Sequence, residues 1–226
     1  MLTKVKISLS KINYKLFLAL LVLGLCPTVY TTLRVFFLGE LPGEYSFSIA
    51  GQLSWVNLLY EITNEAIILP LFYFIGKVAT DKKEFANRVK TGILISLGIY
   101  FMLSILVICF AKPLLSIMAT DLSIIDASAT YIRIESVANI FLILSQFVLV
   151  ALVTINKSKY LYILTIARLM LSLLLDTFLV SSLPISLNLG VNGIGYSNII
   201  VNIVLFAISL MLLSKENINV FDKMKF

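Results

Sequence analysis

The sequence has no histidine, only two cysteines, and charge on just 13% of its 226 residues. Without histidine the commonest metal ligand and near-neutral acid–base group is missing. Cys26 and Cys109 both fall inside long apolar runs. They read as small core residues, not as a disulfide or a metal pair. There is no Gly-x-Ser-x-Gly, no histidine pair and no acid-rich metal motif, so the chain is not read as an enzyme. No polar stretch is long enough to fold alone. The net charge of +6 is spread between apolar runs, not gathered in a patch, so no nucleic-acid partner is expected.

What the chain does have is apolar length. Hydrophobic residues make up 60% of it and the mean hydropathy is +1.02. That composition belongs to a polytopic membrane protein whose first partner is the lipid bilayer. Six runs are long enough to cross a ~30 Å hydrocarbon core, which takes about 20 helical residues. They are Leu16–Phe37, Ile49–Gly76, Thr91–Phe110, Tyr131–Ile155, Tyr160–Leu183 and Gly193–Leu213. Backbone groups in lipid must be satisfied within the segment, and these runs are continuous rather than alternating, so they predict helices and not a barrel. The expected fold is all-α: a six-transmembrane-helix bundle over 16–213, a segment 1–15 before it and a tail 214–226 after it.

Basic residues set the orientation. Lys4, Lys6, Lys11 and Lys15 precede the first span. Lys77, Lys82, Lys83, Arg88 and Lys90 follow the second, Lys157 and Lys159 the fourth, and Lys215, Lys223 and Lys225 the sixth. The other connections hold Lys112 with Glu40, Glu44, Asp121 and Asp126. Both termini are therefore expected in the cytoplasm, in a multi-pass protein of the cell (inner) membrane. The N-terminal lysines imitate a signal peptide, and Leu23–Cys26 imitates a lipoprotein box. No clean small-x-small site follows, and Leu25 is not a small residue, so the segment reads as the first span.

The second span carries the most conspicuous polar residues. At ~100° per residue, Ser54, Asn57, Glu61, Asn64 and Glu65 share one stripe. An ionised carboxylate in hydrocarbon costs at least a few kcal/mol, so such groups face a wet cavity or a partner. Pro70 withholds a helical bond from the Ala66 carbonyl, leaving an acceptor free near Glu65. Two readings are open: a cation or proton relay, or acids that pair with bases and only fix the bundle. Further stripes are Pro27, Tyr30, Thr31 and Arg34; Glu135, Asn139 and Gln146; and Thr165, Arg168, Ser172 and Asp176. Asn198 and Asn202 read as interhelical glue, and Gly190, Gly193 and Gly195 as sites of close helix packing. Arg133, near a span end, can reach the interface and needs no special role.

Depth suggests which charges can meet. Arg34 and Asp176 both lie late in outward-running spans, while Glu61 and Arg168 fall at similar depth in the inner half. Two ion pairs are expected, Arg34–Asp176 and Glu61–Arg168, with Glu65 the acid left over and the candidate for coupling. The candidate coupling-ion or substrate cavity comprises Glu65, Glu61, Asn64, Asp176, Arg34, Arg168, Gln146 and Asn198.

The order of short motifs resembles a known family. The turn Gly39–Gly43 leads to Ser48–Gln52; the second span closes on Tyr73–Gly76; then come Lys112–Met118, Tyr131–Ile134 and Leu189–Gly195. Over Leu16–Leu213 this resembles the N-terminal half of a MATE (multidrug and toxic compound extrusion) transporter, within the wider group of polysaccharide and lipid-linked flippases. The resemblance implies two six-helix bundles that rock about a central cavity. A sodium or proton gradient would drive antiport of organic or xenobiotic compounds, with no other cofactor. The family usually places a carboxylate late in the first helix and an asparagine in the fifth; the matching positions here are Arg34 and Asp176, so a base stands where an acid is usual. A second six-helix half is then expected, from a split gene, a longer protein or a second copy of the chain. Other readings are a six-helix substrate-binding subunit of a vitamin uptake complex, a lipid-linked-saccharide flippase and a non-transporting remnant.

Overall fold

The computed structural model describes residues 14–41, 45–118, 121–218 and 220. Segment 1–13 and the tail residues Lys223 and Lys225 lie outside them, as does much of the Gly39–Gly43 turn, and the side chain of Cys26 is not described. Among the described residues the regular structure is entirely helical. The helices are α1 (Tyr14–Glu40), α2 (Ser46–Gly51), α3 (Leu53–Gly76), α4 (Lys82–Ile117), α5 (Ile125–Thr154), α6 (Lys159–Leu179) and α7 (Val191–Lys215).

Among the described residues five stretches are long and apolar enough to cross a membrane: Ser46–Gly76, which joins α2 to α3, and α4 to α7. The expected first span, Leu16–Phe37, falls within the 27-residue α1, which is not one of these five. Span boundaries differ from the apolar runs where local chemistry intervenes. Helix α4 is 36 residues long because it starts well before the apolar run, at Lys82 with Asp81 as its N-cap, and ends beyond it at Ile117. The Asp81 carboxylate accepts from the N–H groups of Lys83 and Glu84 and so caps the helix. Helix α6 stops at Leu179, not Leu183. The chain then folds back, with the Leu187 and Leu189 N–H groups donating to the Phe178 and Leu179 carbonyls. Gly190, at φ +62°, turns it into α7.

Helix α5 is the axis of the bundle. Half of its most apolar stretch is buried, against 17–33% for the other spans. Its buried face alternates small residues such as Ser128, Ala129, Ser136 and Ala138 with Ile132, Ile143 and Phe147. Small residues let neighbouring backbones approach, which is how helices associate in lipid. Helix α5 packs most closely on α7 and α4, and also meets α3 and α6. On α7 a Cβ at Gly193 would lie 2.8 Å from the Leu179 carbonyl oxygen, and one at Gly195 would lie 2.6 Å from Ile134 Cγ2. These two glycines therefore set the close approach of α7 to α6 and α5, as their spacing predicts.

Large apolar side chains stand exposed on the outer helices, among them Leu69 and Phe72 on α3, Phe101 and Met102 on α4, and Ile166 and Met170 on α6. In water such a surface would be a liability; in a bilayer it is the expected exterior. Cys109 is on that exposed surface, not in the core. A thiol on a lipid-facing helix position is as soluble there as in the interior, so apolar context alone could not separate the two. Arg133 is also tied inward, since its Nε donates to the Ile108 carbonyl on α4 at 3.1 Å.

Candidate functional site

Four helices meet in a run of polar side chains. Arg34 on α1 grips Asp176 on α6 at two points, Nε to Oδ2 at 3.0 Å and Nη2 to Oδ1 at 3.3 Å. The two-point geometry suits a planar guanidinium facing a carboxylate. Tyr30 donates to the same Asp176 oxygen at 3.3 Å, and its ring lies 4.5 Å from the Arg34 guanidinium carbon. Asp176 is only 1% exposed, so its charge is held by these partners and not by bulk water. The expected Arg34–Asp176 pair is thus present.

The run continues beyond that pair. Arg34 Nη2 donates to Asn198 Oδ1 on α7 at 2.9 Å, and Asn198 Nδ2 donates to Glu135 Oε1 on α5 at 2.6 Å. Tyr131, one turn earlier on α5, lines the same cavity as Glu135. Asn198 thereby faces a cation with its oxygen and a carboxylate with its nitrogen, an orientation fixed by the two charges. Its role is more than helix glue. Glu135, buried at 4% exposure, belongs to the polar stripe of its span but was not among the expected site residues. The same insertion-cost argument that singles out Glu61 applies to it with greater force.

These residues form one wall of a cavity of about 320 Å³. The other walls bring Asn57, Tyr60, Glu61 and Asn64 from α3, Tyr100 from α4, and Asn139 and Gln146 from α5. Asn64 Nδ2 donates to Gln146 Oε1 at 3.1 Å, while Asn64 Oδ1 is buried with no partner among the described residues. Tyr60 shares a 3.0 Å hydrogen bond with Ser104, and Tyr100 donates to the Tyr60 carbonyl, which fixes the aromatic side of the cavity. Of the expected residues, Arg34, Glu61, Asn64, Gln146 and Asn198 line this cavity, and Asp176 stands behind Arg34.

Two expectations do not fit. Glu61 and Arg168 form no ion pair among the described residues, where four pairs occur elsewhere. Similar depth placed them together, but α3 and α6 are not neighbours, because α5 stands between them. Gln146 of α5 lines the Glu61 cavity on one side and a small pocket at Arg168 on the other. Glu65 is exposed and does not line the cavity, although it is one turn from Glu61. Among the described residues no cluster of acids, cysteines or histidines could hold a metal ion.

The MatE family model matches residues 78–178, a stretch from the start of α4 to the end of α6. That stretch of the chain is similar to the MatE family. The MATE fold extends beyond the matched stretch. A MATE in complex with MaD3S superposes over 92% of the chain with a TM-score of 0.78 at 14% identity. An outward-facing multidrug resistance MATE family transporter of the MOP superfamily gives 0.78 over 92% at 15% identity. A third MATE structure, of a mutant, gives 0.77 over 88%. The chain spans 48%, 45% and 44% of those three chains, so it corresponds to about half of each. No curated protein matches it. The fold is thus like about half of a MATE structure, while the Arg34–Asn198–Glu135 run is this chain's own.

Proposed function

We propose that the chain is the N-terminal six-helix half of a MATE-type transporter that exports organic or xenobiotic compounds by antiport driven by a sodium or proton gradient. The observation that carries the reading is the polar cavity on a bundle with half a MATE fold, bounded by Arg34, Glu61, Glu135 and Asn198. In this reading α1 is the first of six spans and both termini are cytoplasmic, in line with the lysine and arginine asymmetry. A second six-helix half, from a longer protein, another polypeptide or another copy of this chain, completes the cavity; exposed Glu65 is then free to face it. The likeness to MATE structures does not favour the vitamin-uptake alternative.

Arg34 acts as a built-in cation. It already occupies both oxygens of Asp176, so an incoming ion has no vacant carboxylate there. Asp176 and Glu135 together carry two potential negative charges against one guanidinium. Glu135 is therefore the carboxylate that gains or loses a proton or a cation as the cavity changes access. Such an exchange couples a gradient to movement only where the two conformations hold the ion differently.

The carboxamides and tyrosines around the cavity also suit a hydroxyl-rich substrate, which keeps a saccharide-lipid flippase as the second reading. Proteoliposomes holding the active assembly, loaded with a cationic dye, separate the two. The first reading predicts dye movement that follows an imposed proton or sodium gradient and stops when an ionophore collapses it. Dye movement indifferent to both gradients contradicts it.

A further inference from the structure

Arg168 is left over from the network that holds Arg34. It lies in the middle of α6, and no carboxylate, hydrogen-bond acceptor or aromatic ring among the described residues partners it. The undescribed segments cannot supply the missing acid from α1, because the sequence contains no Asp or Glu before Glu40. A guanidinium within an apolar span requires a counter-charge.

Beside Arg168 is a pocket of about 50 Å³ between α5, α6 and α7, lined by Ser145, Gln146, Thr165 and three leucines. What faces it is rich in donors. Arg168 can only donate. The Gln146 oxygen is taken by Asn64, and its amide nitrogen has no described acceptor. Thr63, Thr91, Thr130, Thr154 and Thr177 each donate to the carbonyl four residues earlier in their helix, but Thr165 does not. Its hydroxyl proton is therefore free for the pocket. The Ser145 hydroxyl proton is already given to the Leu142 carbonyl. A fixed positive charge, two uncommitted polar donors and no carboxylate describe a receptor for an anion. A pocket of this size has room for a small inorganic ion.

We propose that Arg168, Thr165 and Gln146 form a binding site for a small monovalent anion of chloride size. Gln146 is the wall shared with the 320 Å³ cavity and is bonded to Asn64 across it. Anion occupancy thus restrains the side chain that orients Asn64. The site needs no transport activity to exist, so its test stands apart from the transporter reading.

The test is thermal unfolding of the purified protein in detergent, with sodium gluconate replaced stepwise by sodium chloride or bromide at constant ionic strength. Binding to the folded state raises the midpoint with ligand concentration. The expected result is a saturable rise of several degrees with chloride and bromide, absent in Arg168→Gln. Thr165→Val, which keeps the charge, is expected to weaken the apparent chloride affinity by roughly tenfold, as for one lost hydrogen bond to an ion. If Arg168→Gln does not fold, Thr165→Val and Gln146→Leu carry the test. A midpoint indifferent to the exchange, or a chloride response unaltered in all three variants, overturns the site.

Discussion

Arg34 and Arg168 are both carried by apolar helices, but only Arg34 is surrounded by acceptors. Arg34 meets Asp176, Asn198 and the Tyr30 ring, three groups from two other helices and its own. Arg168 meets leucines and two donors. The first arrangement uses a charge to join α1, α6, α7 and α5. The second leaves a charge for a ligand to satisfy. The same residue type is structural in one place and receptive in the other, and what separates them is the sign and availability of the neighbouring polar atoms, not burial.

That contrast is most severely tested by deleting an acceptor. Asp176→Ala leaves Arg34 with an uncompensated buried charge and is expected to cost about 3–5 kcal/mol in denaturant unfolding in detergent. Adding Arg34→Ala should restore part of the loss, so the double-mutant cycle is non-additive. Additive losses would mean the pair contributes nothing. Next in size is Asn198→Ala, which strips Arg34 of an acceptor and Glu135 of a donor; about 1–3 kcal/mol is expected in the same assay.

Smaller effects sharpen the other side of the comparison. Measured in gluconate, Glu61→Gln should change stability by no more than about 0.5–1 kcal/mol, and Arg168→Gln should not lower it, because neither residue has a described ionic partner to lose. A loss of several kcal/mol in both, with non-additivity between them, would restore the Glu61–Arg168 pair.

The smallest effect lies outside the membrane. Lys157, Tyr160 and Glu216 join the α5–α6 connection to the residue after α7, with Nζ to Oε2 at 2.7 Å and the Tyr160 hydroxyl to Oε1 at 2.8 Å. The hydrogen bond from Lys157, then that from Tyr160, holds Glu216 below its ordinary 4.5. The hydrogen bond to Glu216 lifts Lys157 above its ordinary 10.5. A lowered acid stabilises above its unfolded value and loses that as pH falls through the folded one; a raised base does the reverse. The clasp is therefore constant across neutral pH, weakening first in acid below about 4.5 and again in strong alkali. Glu216→Gln should flatten the acid limb of a stability profile; an unchanged limb would show that the contact is silent.

Much of the bundle was legible because hydropathy reports membrane length directly. The Arg34–Asp176 pair was legible too, since two opposite charges at one depth in apolar helices have few other solutions. Glu61–Arg168 satisfied the same criterion and failed. Depth along a helix says nothing of which helices are neighbours, and α5 intervenes with Gln146. Periodicity also blurs adjacent faces. Glu61 and Glu65 share a broad stripe, yet only Glu61 reaches the cavity, because a turn of four residues rotates ~40° away. Glu135 was visible as a lone acid in its span. Its importance comes from Asn198, which reaches it from α7 and which only the packing of α5 against α7 brings there.

The assignment of gradient coupling can be tested by one pair of neutral substitutions. Glu135→Gln and Glu65→Gln each remove a carboxylate while keeping size, and dye flux driven by an imposed gradient reports on both in the same proteoliposomes. With Glu135 as the exchanging group, Glu135→Gln abolishes gradient-driven flux, while Glu65→Gln retains it to within about twofold. Wild-type flux in Glu135→Gln, with loss in Glu65→Gln, would contradict this assignment and return coupling to the exposed acid of α3.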